Sequence, residues 1–412
     1  GGQDIVGGIQ KIEEATKSLF VPGVFFEEMG LRYIGPINGH QLPELIQTFE
    51  RVKTFNRPVI VHVITEKGYG CEYAKEAPEK FHGVSAFNPA TGMSDSPSSK
   101  TTFSAAFGNS LVKLAEEHSE VVAITAAMTS GTGMSEFAKR FHERFFDVGI
   151  AEEHALVFAA GLAANGLRPV VAIYATFLQR ALDCLFHDIC LQKLPVIICA
   201  DRAGIVEDGP THHGIYDLSF LMQMPNLTIM CPANEYELEL MFSEAYMLNS
   251  PVVIRYPRGS SGCPPETARN ATPPLEYGKF HTVRAGKDLT IYTTGRELYT
   301  SMEVADILKK EKNLDCGVVN VRFLRPFDSE SFLSTAAAMP VVTIEDNIKS
   351  SGLGGLAATS ARPRGGPRLI ACTSTSSSPS ITSTQASKGN THPLRRSVVG
   401  QTKNDEGPDQ ER

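Results

Sequence analysis

An α/β chain built on parallel sheets flanked by helices is predicted from three features of the sequence. Short apolar runs at 121–126, 170–174 and 195–201 alternate with longer helix-forming stretches. The breaks between them carry Gly, Pro or Asn. Strands and helices that alternate in this way return the chain to one sheet in the same direction. The organising stretch is 147–180, D-V-G-I-A-E-E-H-A-L-V-F-A-A-G-L-A-A-N-G-L-R-P-V-V-A-I-Y-A-T-F-L-Q-R. A short strand ending at Ile150 leads into a helix that opens with Glu152 and Glu153 and stops at Asn165-Gly166. A strand over 170–174 follows Pro169, and Thr176 opens a further helix carrying Phe177 and Arg180. Ligands of such sheets bind beyond the carboxyl ends of the strands, where Glu152, Tyr174, Phe177 and Arg180 all fall.

With 412 residues, of which 42% are hydrophobic, the chain has room for two or three domains with buried cores. A net charge of -7 offers no basic footprint for DNA or RNA, so no nucleic-acid partner is expected, although local basic sites for a phosphate remain. Eight cysteines are scattered without a C-x-x-C pair and read as reduced thiols with no metal site. No apolar run approaches the length of a membrane span, and no membrane partner is expected. A cytoplasmic, bacterial-type location is the expectation. A plastid location stays open, because the chain starts with Gly and a targeting segment would precede the true start.

Residues 1–88 read as the end of a domain. A Lys/Glu-rich helical stretch precedes M-G-L-R-Y-I-G-P-I-N-G-H, an amphipathic helix over 42–53 and a strand over 59–64, closed by T-E-K-G-Y-G and K-F-H-G-V-S-A-F-N-P-A-T-G. Taken alone, 35–40 is a turn and His82 a solvated loop residue. A Pro/Ser/Gly-rich linker spans 89–101 and a second domain 102–262, with a helix over 102–118 and a Gly/Ser loop over 126–134 that lets backbone amides approach a ligand. His187 and Asp188 are adjacent on a helix, point about 100° apart and read as structural. The loop 201–214, D-R-A-G-I-V-E-D-G-P-T-H-H-G, gathers Arg202, Glu207, Asp208, His212 and His213, a density of polar groups that a connecting loop rarely needs. Adjacent histidines without a ligand-spaced carboxylate or thiol do not make a metal site. Arg258 follows the strand in P-V-V-I-R-Y-P-R-G, and both it and Arg202 can equally pair with acidic loop residues. A linker over 263–275 precedes a third α/β unit over 276–354. From 355 the composition turns to Ser, Thr, Pro and Arg, which predicts a low-complexity, disordered tail.

First-turn acids are ordinarily explained by the helix dipole, and that reading serves Glu153. For Glu152 the motifs add more. I-A-E-E-H-A, A-A-G-L-A, Y-A-T-F-L-Q-R-A and E-D-G-P-T-H resemble the pyrimidine-binding domain of transketolase-type thiamine-diphosphate enzymes. The segments G-P-I-N-G-H, F-H-G-V-S-A-F-N-P and R-A-G-I-V are similar to those of the 1-deoxy-D-xylulose-5-phosphate synthase family, over 1–354 and in family order. The resemblance implies the transketolase-like thiamine-diphosphate fold with the start of a C-terminal α/β domain. It also implies a homodimer that joins pyruvate to D-glyceraldehyde 3-phosphate with release of carbon dioxide, serving isoprenoid, thiamine and pyridoxal precursor synthesis. It implies thiamine diphosphate and Mg2+ as cofactors. By the same resemblance, Glu152 is expected to hydrogen-bond the aminopyrimidine and so activate the cofactor, a role that needs burial to outweigh the helix N-terminus. Phe177 packs on that ring. Tyr174, Arg202, Asp208, His212 and Arg258 bind or orient substrate, the two arginines at its phosphate, with Arg180 a further contact. Catalytic roles extend to His212 and to His82, near the reacting carbon.

One departure stands against these matches. The family binds its metal through G-D-G and a later Asn, and no G-D-G occurs here. The expectation is a fragment whose metal ligands lie in a missing N-terminal part, with a frameshifted or naturally disordered tail, that neither holds the cofactor tightly nor turns over alone. A transketolase, a pyruvate dehydrogenase beta-type subunit and a non-catalytic partner-binding remnant are the rival readings.

Overall fold

The computed structural model describes residues 23–78, 81–82, 86–93, 101–348 and 351–361, and the backbone of 369–373 and 382–384. Residues 1–98 and 99–412 form two compact units. In the first, β1 (Arg32–Asn38) and β2 (Val59–Ile64) pair in parallel, joined by the Leu42–Val52 helix. The segment G-P-I-N, expected as a turn, is the end of β1: the ladder shifts register between Ile34 and Ile37 and resumes. Gly35 makes this possible. Its φ is +131°, and a Cβ there would stand 2.5 Å from the carbonyl oxygen of His62. His40 ends the strand by accepting the Glu66 amide at 2.7 Å and stacking on Tyr69 at 3.8 Å. His82 belongs to this unit and is exposed.

The second unit holds the main cores. β3 (Val121–Thr125), β4 (Phe145–Asp147), β5 (Arg168–Tyr174), β6 (Ile197–Asp201), β7 (Thr228–Met230) and β8 (Val252–Arg255) run parallel in the order β7-β8-β6-β5-β3-β4. Every residue of β3, β6, β7 and β8 is buried, as strands covered by helices on both faces require. The Phe103–Glu117 helix starts where the Thr102 hydroxyl accepts the Ala105 amide at 3.2 Å, and Asn234 caps the Glu235–Met247 helix in the same way at 2.8 Å. The Glu152–Ala164 helix lies on β5 with Ala155, Ala159, Ala160 and Ala163 inward, small residues that let helix and sheet approach closely, and ends at Asn165 and the positive-φ Gly166.

Two expected elements are corrected here. The strand before Glu152 ends at Asp147 rather than Ile150, because Gly149 turns the chain at φ +74° and leaves Ile150 77% exposed. The helix expected to run on past Arg180 is instead a series of short turns, including a π turn at Leu185–Cys190. There His187 pairs with Asp183 at 2.8 Å rather than with Asp188.

The C-terminal part builds a second sheet from β9 (His281–Arg284), β10 (Leu289–Thr293), β11 (Cys316–Asn320), β13 (Val341–Glu345), β14 (Leu369–Thr373) and β15 (Thr382–Thr384), in the order β15-β14-β13-β10-β11-β9. One strand of this part joins the first sheet instead. The R-F-L-R-P-F-D stretch forms β12 (Phe323–Arg325), which pairs antiparallel with β7 and so completes the seven-stranded sheet. Two buried arginines form three ion pairs that reinforce that junction: Arg322 to Glu237 at 2.6 Å, and Arg255 to Asp217 and Asp346 at 2.6 and 3.1 Å. The expected loss of regular structure at 355 is also corrected. The Leu353–Ala361 helix continues past it, because Leu353, Ala357 and Ala361 bury one apolar face.

Candidate active site

Asp147, at the end of β4, organises the approach to Glu152. Its carboxylate accepts the amides of Ala127 at 2.8 Å and Gly149 at 3.0 Å and the Thr129 hydroxyl at 2.9 Å. The Gly/Ser loop after β3 is thereby tied to the turn that begins the Glu152–Ala164 helix. Glu152 opens that helix at 1% exposure, whereas its neighbour Glu153 is exposed.

From Glu152 a path of contacts crosses the carboxyl edge of the sheet. Arg180 donates to both Glu152 oxygens and lies 5.7 Å from the centre of the Phe177 ring. Phe177 stacks on Tyr174 at 5.9 Å and meets the His212 ring edge-on at 5.4 Å. The Arg202 guanidinium sits 4.1 Å over the Tyr174 ring, within range of a cation–π contact. Burial pushes the Tyr174 hydroxyl's pKa up against the opposing pull of Arg202. The close approach of the β3 loop leaves no room for a side chain at Gly131, where a Cβ would lie 1.8 Å from the Tyr174 oxygen.

Arg202 takes an unusual backbone, φ +60°, which costs a non-glycine residue about 1 to 3 kcal/mol and is sustained only by its surroundings. Asp201, fully buried, accepts the Arg202 amide at 2.7 Å, faces its guanidinium at 3.1 Å and takes the Ser104 hydroxyl at 2.7 Å. Burial raises the Asp201 pKa, and Arg202 opposes it. Arg202 also donates to the carbonyl of Gly131. Arg258, after β8, meets Asp208 at 2.6 Å. Arg202 and Arg258 line one cleft of about 740 Å³ with Thr102, Ser104, Ser130 and Gly131.

The structure thus brings Glu152, Tyr174, Phe177, Arg180, Arg202 and His212 into one run of contacts, with Asp208 on the loop that carries Arg202 and its partner Arg258 on the cleft. His82 lies in the other unit. Asp201, Ser104, Gly131 and Arg296, which also shape the cleft, were not singled out from sequence. Asp201 reads as a strand end, and Ser104 and Arg296 carry no signal in the sequence. Among the described residues, no group of three or more His, Cys, Asp and Glu is placed to hold a metal ion, and no helix is long and apolar enough to cross a membrane.

A seven-stranded, mostly parallel sheet with its polar residues gathered at one carboxyl edge defines an α/β protein of transketolase type. Three family models match: "1-deoxy-D-xylulose-5-phosphate synthase" over 2–65, "Transketolase, pyrimidine binding domain" over 99–262 and "Transketolase, C-terminal domain" over 278–366. The 1-deoxy-D-xylulose-5-phosphate synthase of Desulforudis audaxviator is 46% identical over 356 residues, 86% of this chain and 55% of that protein. That of Carboxydothermus hydrogenoformans is 47% identical over 350 residues, 84% of this chain and 55% of that protein. The chain therefore spans about half the length of the curated relatives it matches, 55% in both cases. Among solved structures, a split gene transketolase, described as an inactive beta4 tetramer, aligns with a TM-score of 0.60 and 31% identity, covering 66% of this chain and 88% of that one. A Pichia stipitis transketolase, at 20% identity and a TM-score of 0.51, shares the fold over 60% of this chain and 39% of its own. The chain belongs to the transketolase family, in its 1-deoxy-D-xylulose-5-phosphate-synthase-like branch.

Proposed function

We propose that the chain carries the pyrimidine-end and substrate residues of a thiamine-diphosphate-dependent synthase. The reaction condenses pyruvate with D-glyceraldehyde 3-phosphate to 1-deoxy-D-xylulose 5-phosphate and carbon dioxide. The observation that carries this reading is the path from buried Glu152 through Arg180, Phe177 and Tyr174 to Arg202. It joins a carboxylate suited to a ring nitrogen with a guanidinium suited to a phosphate.

The donor set fits the aminopyrimidine end of the cofactor: a carboxylate at 1% exposure with an aromatic ring beyond its arginine partner. Glu152 would hold a ring nitrogen and Phe177 the ring face. When bound, thiamine diphosphate supplies a nucleophilic carbon and an electron sink for decarboxylation. The chain's own residues do the rest. Arg180 orients Glu152, Arg202 and Arg258 hold the aldehyde's phosphate, and Asp208 positions Arg258. Tyr174 and His212 flank Phe177, where a hydroxyl and an imidazole can hold or move a proton on the substrate's oxygens. His82 and the homodimer rest on the resemblance alone. Mg2+ is given no ligands, since the sequence has no G-D-G.

The test is pyruvate consumption dependent on D-glyceraldehyde 3-phosphate, with thiamine diphosphate and Mg2+, in this chain and in one extended to the length of its relatives. Activity abolished by Glu152→Ala in whichever chain turns over supports the reading. A Glu152→Ala variant that retains full turnover sinks it. A second reading follows from the split gene transketolase, which covers a similar part of the fold: a separate chain completes the site. Activity that returns only on adding a second polypeptide would favour it.

A further inference from the structure

The arginine-lined cleft holds a guanidinium that the reading above leaves unused. Arg296 directly precedes the Glu297–Lys312 helix of the C-terminal part, yet it lines the same cavity as Arg202 and Arg258. Its Nη2 donates to the carbonyl of Ile205 at 3.0 Å, in the loop that follows Arg202. The nearest acidic oxygen, on Glu297, is 3.8 Å from its Nε, and 32% of the side chain stays exposed. By contrast Arg258 has a carboxylate at 2.6 Å and Arg202 one at 3.1 Å. Arg296 is anchored by a neutral carbonyl and meets an acid only loosely, through Glu297 at 3.8 Å.

The rest of the cleft suits an anion. Arg202 is buried, at 8% exposure, and its Nε has no hydrogen-bond partner. Thr102, Ser104 and Ala105 bring the first turn of the Phe103–Glu117 helix to the lining, to which Gly131, Gly133 and Gly259 also contribute. Glu207 is the acid on the lining. A doubly charged phosphate offers the oxygens that planar guanidinium forks match best.

We propose that Arg296 is a third guanidinium contact to the phosphate of the bound substrate, so that the C-terminal domain takes part in selecting a phosphate monoester. The identity of that substrate rests on the synthase reading, but the anion site can be tested without turnover. Inorganic phosphate is titrated calorimetrically into the full chain and into its Arg296→Gln and Arg296→Lys variants, with amide exchange followed over 203–209. Loss of one charge-assisted contact predicts roughly tenfold weaker phosphate binding in Arg296→Gln. Partial recovery is expected in Arg296→Lys, with exchange over 203–209 unchanged. Wild-type affinity in Arg296→Gln, a loss accompanied by faster exchange over 203–209, or no phosphate binding by the parent chain would each overturn the proposal. Phosphate binding that depends on Arg296 in a chain unable to condense pyruvate with the aldehyde would overturn the synthase reading and leave this one standing.

Discussion

Arg180 donates to both carboxylate oxygens of Glu152, at 3.3 Å to Oε1 and 3.1 Å to Oε2, reaching a fully buried group from a side chain that is itself half-exposed. The pair therefore lies between the surface and buried regimes of ion pairing. Arg180→Ala leaves the carboxylate buried without its cation and should cost about 1 to 2 kcal/mol, less than a wholly buried pair would lose, because water reaches the arginine side. Arg180→Lys should recover part of this. Urea unfolding monitored by circular dichroism measures the difference, and midpoints identical across the variants would show that Arg180 does not support Glu152.

Arg258 and Asp208 form a short pair at the cleft. If Arg258 holds the aldehyde's phosphate, Arg258→Gln should raise the KM for D-glyceraldehyde 3-phosphate about tenfold or more, the worth of a charge-assisted contact, with the KM for pyruvate unchanged. Steady-state kinetics in a chain that turns over separates the two constants. Equal effects on both substrates would assign Arg258 to holding the loop instead.

The sheet was legible because its strands are continuous apolar runs between Gly, Pro and Asn: 170–174 lies within β5 and 121–126 spans β3. Glu152 was legible through the motif around it rather than through its helix position, which acidic residues occupy for ordinary dipole reasons. What escaped depends on contacts between distant segments. Ser104 meets Asp201 across 97 residues and Arg296 meets Ile205 across 91, and neither pairing leaves a local pattern. β12 leaves no signal because three residues give too short a period to recognise, and its partner β7 lies in the preceding domain. The Leu353–Ala361 helix was missed because Ser, Thr and Gly dilute it, although Leu353, Ala357 and Ala361 keep helical spacing.

Burial pushes the Glu345 carboxyl up to about 7, although the amides of Leu353 and Gly354 donate to it at 2.8 and 2.7 Å and pull the other way. A folded-state pKa above the unfolded one means that the folded protein binds the proton more tightly. The stability this contributes is fully present below about 4.5, the ordinary glutamate value, and is lost as the pH rises through about 7. Unfolding free energy measured from pH 5 to pH 8 should therefore fall more steeply in the parent chain than in Glu345→Gln, by about 1 to 3 kcal/mol over that range. Parallel profiles would show that Glu345 does not titrate in this window.

Gly204 joins the 201–214 loop to the C-terminal domain through the absence of a side chain. Its φ is +76°, and a Cβ there would stand 1.8 Å from the Asp346 carboxylate, which in turn holds Arg255 at 3.1 Å. Arg255 also donates to the carbonyl of Gly214, at the far end of the same loop, and Gly214 and Gly204 exchange backbone hydrogen bonds at 2.8 and 2.9 Å. Gly204→Ala therefore meets a left-handed backbone and a collision with a buried ion pair together. Destabilisation of about 2 to 4 kcal/mol is expected, from backbone strain added to a displaced Asp346. Replacing Asp346 by Gly in the same chain relieves the collision but not the strain, and forfeits the Arg255 contact. The double variant should then lose less than the sum of the single losses. A double-mutant cycle by urea unfolding reads that coupling directly. Strictly additive losses would mean that the loop and the C-terminal domain are not mechanically joined at Gly204.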